Sequence, residues 1–280
     1  MNTQKRIAAI HDISGIGKCS LTVALPIISA AGMEAAVIPT AVLSTHTGGL
    51  TGYTYRDLSE DIIPYAEHWK SLDLKFDAIY TGFLGSTEQV DKVIEIIDML
   101  KSDDTLVIVD PVMGDHGKLY STFESYFPNE MKRLCKKADI LTPNITEGCL
   151  LCGIDYNTLS RTKETADMLY GRLNKICEKD IVITGVENGN SVGAVYYEST
   201  GVSHEAYRPQ VEGIYHGTGD VFTSVLTAAV VSGQAKKNAI DIAVEFTERA
   251  IERTRKAGTD TRFGVQFERE LPHLINRLGL

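Results

Sequence analysis

Apolar runs of strand length alternate with segments of helical period from one end of this 280-residue chain to the other, and that rhythm leaves few folds open. A strand, a helix and a further strand in succession build parallel pairing, because the crossover returns the chain to its starting edge. Strand-length runs fall at 7–10, 35–39, 78–81, 106–110, 140–142 and 181–185. Helices are expected at 20–31, 59–72, 87–101, 124–136, 163–178, 220–232, 235–255 and 266–278, with Pro26 working against the continuity of the first. One departure from the alternation, runs at 192–197 and 204–208 around a turn containing Gly201, reads as an antiparallel hairpin at a sheet edge. The expectation is an α/β fold of three layers, α/β/α, with a central mostly parallel sheet and an edge hairpin. No linker, repeat or low-complexity tract divides the chain, so 1–280 reads as a single domain.

Ligands of open α/β sheets collect beyond the carboxyl ends of the strands. Polar residues stand at three successive strand ends here: Asp110, then Thr142 with Asn144, then Thr184 with Gly185. Gly217, Thr218, Gly219 and Asp220 lead into an apolar helical run and would share that rim. Two glycines let backbone N–H groups close around a phosphate, the helix start adds its positive dipole end, and Asp220 sits where a hydroxyl could lose its proton. Transfer of a terminal phosphoryl group needs this combination, being mostly positioning and charge neutralisation. The plainer reading is a strand-to-helix turn capped by Thr218 or Asp220.

Asp110 opens a loop through Asp115 to Lys118 that suits Mg²⁺ held by carboxylates and water, with Lys118 approaching phosphate oxygens. Asn144 and Glu147, three apart at a helix entry, suit a hydrated Mg²⁺ or equally a capping box. Asp12 and Ser14, in a loop after the first strand, could grip a small substrate. That loop is neither a P-loop, since Asp12 and Cys19 occupy the positions of the required glycine and hydroxyl, nor a dinucleotide fingerprint. The run Ser44, Thr45, His46, Thr47, Gly48, Gly49 offers hydroxyls and one imidazole to a hydroxyl, ring nitrogen or amine. Cys149 and Cys152 form a lone Cys-x-x-Cys without a second pair, and no structural metal is expected there.

A formal net charge of -9 gives nucleic acid no general basic surface to bind. No apolar stretch reaches the roughly 18 residues of a membrane span, and the N-terminal apolar run is too short for a signal-peptide core. Five cysteines, an odd number, fit reduced thiols. These features together point to a cytoplasmic protein with no nucleic-acid or membrane partner.

In this order and spacing the motifs resemble the ribokinase-like superfamily and, within it, the pyridoxal kinase group. The resemblance runs from His11 to the helices after Asp220 and includes Ser44 to Gly48, Tyr80 to Ser86, Asp110 to Asp115, Thr142 to Glu147 and Gly217 to Asp220. It implies ATP-dependent phosphorylation of the 5′-hydroxymethyl group of a vitamin B6 vitamer, with Gly217, Thr218 and Gly219 as anion hole and Asp220 as base. It implies further that Asp110, Asp115, Asn144, Glu147 and Lys118 serve Mg-ATP, with Asp115 and Glu147 toward the metal. Thr142, Thr184 and Gly185 would line the nucleotide side, while Asp12, Ser14, Thr47 and Phe83 would hold the substrate ring. Kinases of this resemblance without a separate lid sheet are commonly homodimers; use of a monovalent cation such as K⁺ is left open. Two rivals stand beside this reading, a hydroxymethylpyrimidine kinase and a nucleotide-binding regulatory protein without chemistry.

Overall fold

In the computed structural model, which describes residues 4–280, one nine-stranded sheet runs through the molecule. In chain order the strands are β1 (Arg6–Ile16), β2 (Glu34–Thr45), β3 (Tyr55–Asp57), β4 (Ala78–Thr81), β5 (Leu106–Val109), β6 (Gly114–Asp115), β7 (Lys118–Leu119), β8 (Ile140–Leu141), β9 (Asp180–Asn188), β10 (Ser191–Tyr197) and β11 (Ser203–Pro209). The sheet order is β11-β10-β9-β8-β5-β4-β1-β2-β3, while β6 and β7 pair separately. From β9 across to β2 every pairing is parallel. The hairpin β10–β11 closes one edge and β3 the other, both antiparallel to their neighbours.

Nine α-helices cover the sheet among the described residues: α1 (Leu21–Ala30), α2 (Ser59–Ser71), α3 (Thr87–Leu100), α4 (Phe127–Cys135), α5 (Ile145–Cys152), α6 (Lys163–Leu173), α7 (Thr218–Val231), α8 (Lys236–Ala257) and α9 (Leu271–Leu278). Strand alternation sorts the core into two layers. Ile7 and Ala9 of β1 pack with α1, α7, α8 and α9, whereas Ala8 and Ile10 pack with α2 to α6. The three-layer α/β/α architecture expected from the alternation is therefore present.

Helix α1 runs unbroken through Pro26 because buried Leu21, Val23, Ala24, Ile27 and Ile28 hold it on the sheet. The segment expected as a helix from 266 begins instead with a 3₁₀ turn at Glu268–Glu270, and α9 starts at Leu271. Strands β1 and β2 continue past the apolar runs to Ile16 and Thr45, with a register shift between His11 and Ile13. Strand β3 is exposed throughout and carries no buried alternation, so only its pairing with β2 makes it a strand.

The chain leaves β1 toward β2 in one direction and later builds β4, β5, β8 and β9 in the other. The order thus reverses between β1 and β4, where crevices form in doubly wound sheets. The carboxyl ends of these strands open onto the principal cavity.

Candidate active site

That cavity has a volume of about 1000 Å³, at the upper end of small-molecule sites and large enough for a nucleotide beside a small acceptor. Asp12, Thr47, Phe83, Asp110, Asp115, Thr142, Asn144, Glu147, Thr184, Gly185 and the run Gly217 to Asp220 all line it. Two candidates do not. Ser14 is fully buried behind Asp12, to whose carboxylate its hydroxyl donates at 3.2 Å. Lys118, expected to approach phosphate, is exposed in the hairpin β6–β7 and does not line the cavity.

Helix α7 begins at the cavity. Its N-cap Gly217 has φ 74°, and a Cβ there would stand 1.9 Å from the Lys18 carbonyl oxygen, so only glycine fits the turn. No side chain caps the helix, which excludes the turn capped by Thr218 or Asp220 and leaves the leading amides open to an anion. Asp220 stands in the first turn of α7, half-buried and open to the cavity. Its carboxyl is pushed up to about 7, chiefly by desolvation and further by the Asp12 charge, against the Ser20 backbone N–H.

Behind Asp220 lies a buried polar chain. Thr223 donates to Asp110 at 3.0 Å and meets the Thr142 hydroxyl at 3.3 Å. Burial raises the Asp110 carboxyl, and the Asp220 charge adds to the shift. On the far side, Asn144 and Glu147 form the capping box of α5, with both reciprocal bonds at 2.9 Å. Glu147 also accepts from the Met113 N–H at 3.1 Å, which ties the loop after β5 to α5. Desolvation and the Asp110 charge push Glu147 well above the ordinary carboxylate range. None of Asp12, Asp110, Glu147 and Asp220 has a lysine or arginine among the groups that set its titration. A set of carboxyls without a paired cation offers oxygen ligands alone, which suits a hydrated divalent cation whose binding would draw them to the charged form. No cluster of three His, Cys, Asp or Glu side chains able to hold a metal directly occurs among the described residues.

Several wall residues escaped sequence reasoning. Ser20, the N-cap of α1, has φ 54° and ψ −130°, a strained conformation for a non-glycine residue. It lies on the cavity wall with two acids, and its hydroxyl and backbone N–H respectively favour the charged forms of Asp12 and Asp220. Val244, Thr247, Glu248 and Ile251 of α8 form another wall. Their helical spacing is that of a core stripe, so nothing local marks them as a ligand surface. His46, expected to be available for recognition, is not: Nε2 meets the Arg262 carbonyl at 2.5 Å and Nδ1 accepts from the Gly48 N–H at 3.1 Å. Cys149 is buried, Cys152 half-buried, and all five cysteines are free thiols.

Residues 24–264 match the family model described as phosphomethylpyrimidine kinase. The chain belongs to the phosphomethylpyrimidine kinase family. A Bacteroides thetaiotaomicron protein assigned as a phosphomethylpyrimidine kinase, crystallised with pyridoxal, is 35% identical over 99% of this chain and 96% of its own, with a TM-score of 0.90. The pyridoxal kinase of Lactobacillus plantarum is 28% identical over 97% of both chains, with a TM-score of 0.89. Among curated relatives, the hydroxymethylpyrimidine/phosphomethylpyrimidine kinase of Bacillus subtilis is 26% identical over 81% of each chain. The protein is thus a kinase of ribokinase-like fold, and the resemblance to pyridoxal kinases seen in its motifs extends over the whole structure. No helix among the described residues is long and apolar enough to cross a membrane.

Proposed function

We propose that the chain transfers the γ-phosphoryl group of ATP to the 5′-hydroxymethyl group of a vitamin B6 vitamer. One observation carries this reading: a carboxyl poised at about 7 stands in the first turn of an uncapped helix, on the wall of a cavity with room for both substrates. Asp220 accepts the proton of the hydroxymethyl group as its oxygen attacks the γ-phosphorus. The bond from that phosphorus to the β-bridging oxygen breaks, and ADP leaves with the electron pair. The amides at Gly217 to Gly219 face the charge that develops on the phosphoryl oxygens.

Thr142, Asn144, Thr184 and Gly185 would line the nucleotide side, and Asp12, Thr47 and Phe83 the acceptor side, Phe83 offering a ring face for stacking. Asp110, Asp115 and Glu147 would hold Mg²⁺ through its waters. When bound, that ion neutralises phosphate charge and orients the nucleotide.

The vitamer, rather than a pyrimidine, is supported by the pyridoxal in the Bacteroides relative's crystal. The Bacillus relative supports the second reading, a hydroxymethylpyrimidine as acceptor. A panel of pyridoxal, pyridoxine, pyridoxamine and hydroxymethylpyrimidine with Mg-ATP, read by product mass, decides between them. The largest kcat/KM is expected for a vitamer, and a larger value for the pyrimidine would replace the first reading with the second. In the same assay Asp220→Asn should lose about 10²- to 10⁴-fold in turnover while binding ADP nearly as well. An unchanged turnover number would remove Asp220 from the role of base.

A further inference from the structure

The cavity is poor in cationic side chains for a site that would hold a triphosphate. Among the described residues only two lysines or arginines line it, Arg161 and Arg208, and both are committed, Arg161 to Glu187 and Arg208 to Asp241 at 2.7 Å. Lys18, behind the Gly217 turn, pairs with Glu268 at 2.9 Å and is not on the wall. Phosphoryl transfer spreads negative charge over three equatorial oxygens, and side-chain donors commonly share that charge with the metal. Three imidazoles on the wall are what this chain offers instead.

They are not equivalent. His46 has both ring nitrogens engaged, as described above. His116 sits at the exposed turn of β6–β7, 3.5 Å from Asp115, with a side chain 60% exposed. His216 immediately precedes the helix cap Gly217, lies half-buried on the cavity wall, and has no hydrogen-bond partner for either nitrogen among the described residues. Its place is shaped by glycine: a Cβ on Gly48 would stand 2.8 Å from Nδ1. The His46 ring backs it at 5.4 Å between centroids. Burial lowers its basicity; of the charged groups that act on it across the cavity, Asp115 opposes that shift and His116 adds to it. A neutral imidazole still presents one N–H.

We propose that His216 is a further catalytic residue, whose imidazole donates a hydrogen bond to an oxygen of the phosphoryl group in transfer, beside the amides of Gly217 to Gly219. The proposal rests on the kinase reading above and adds to it a side-chain donor at the phosphate. Two measurements test it.

Steady-state kinetics of His216→Ala with the acceptor the wild type prefers should show kcat down about 10- to 100-fold, KM for ATP within about threefold, and partial recovery of kcat on adding imidazole. His216→Asn, which keeps a donor, should lose less. A kcat within about threefold of wild type, or a loss that imidazole does not relieve in a variant with unchanged melting temperature, overturns the proposal. The second measurement needs no turnover. In histidine-labelled protein, the ring resonance missing from His216→Asn should move on adding Mg-ADP with aluminium fluoride, a mimic of the transferring group, and not with Mg-ADP alone. No such movement overturns the proposal. A wild type that phosphorylates no vitamer and no pyrimidine sinks the functional reading instead, and the resonance still decides the place of His216.

Discussion

Asp220, the proposed base, would trade stability for chemistry at the scale of one residue. Its carboxyl titrates at about 7 in the folded chain against 3.8 for the free group. Between those values the folded state holds a proton that the unfolded state has released, so this residue's effect on stability worsens as pH rises from about 4 to about 7. Asp220→Asn removes that effect. The variant should therefore be more stable than wild type at pH 8, by on the order of 2–4 kcal/mol, and no more stable near pH 3. Chemical denaturation at the two pH values checks this, and a variant no more stable at pH 8 would contradict the desolvated carboxylate. Activity has the opposite sign, because only the carboxylate accepts a proton. For wild type kcat/KM should rise with pH to a midpoint near 7, whereas a profile flat from about pH 5.5 to 8.5 would mean that no group of this kind limits the reaction.

The start of α7 is a device at the scale of an element, and its two glycines separate structure from function. Gly217 has a positive φ and lies against the Lys18 carbonyl, so Gly217→Ala must displace one or the other. That variant should lose about 1–3 kcal/mol of stability along with activity. Nothing stands within 4 Å of a Cβ on Gly219, so Gly219→Ala should melt no lower than wild type. Its methyl group would nonetheless crowd the leading amides of the helix. A loss of turnover at full stability is expected, read by kinetics beside thermal melting, and full turnover would show that no phosphate approaches there. The capping box of α5 works differently, since Asn144 and Glu147 spend their hydrogen bonds on the helix and on Met113. They position the rim before they meet any ligand.

Across the whole molecule, the reversal of strand order between β1 and β4 brings five acids from widely separated segments, Asp12, Asp110, Asp115, Glu147 and Asp220, onto one cavity. Without ligand their burial and proximity disfavour ionisation, and a divalent cation arriving with the nucleotide would draw them to the charged form. Mg-ATP at about 100 times its Kd should stabilise the fold by about 2.7 kcal/mol, and ATP in the presence of a chelator by much less. Equal stabilisation in the melting curves would mean that the acids do not face a metal. Much of this was legible in the chain itself. Hydrophobic rhythm determines the layers and the parallel sheet, because burial of alternating or helical faces depends on local spacing. The glycine turn and the strand-end acids follow from residue type and position. What local spacing could not supply was decided by tertiary contacts: the exposed strand β3, the wall made by α8, the place of Lys118 off the cavity wall, and the engagement of both His46 ring nitrogens. Residues distant in the chain share a hydrogen bond or a surface, as when the Arg262 carbonyl meets His46, and no periodicity records who that distant partner will be.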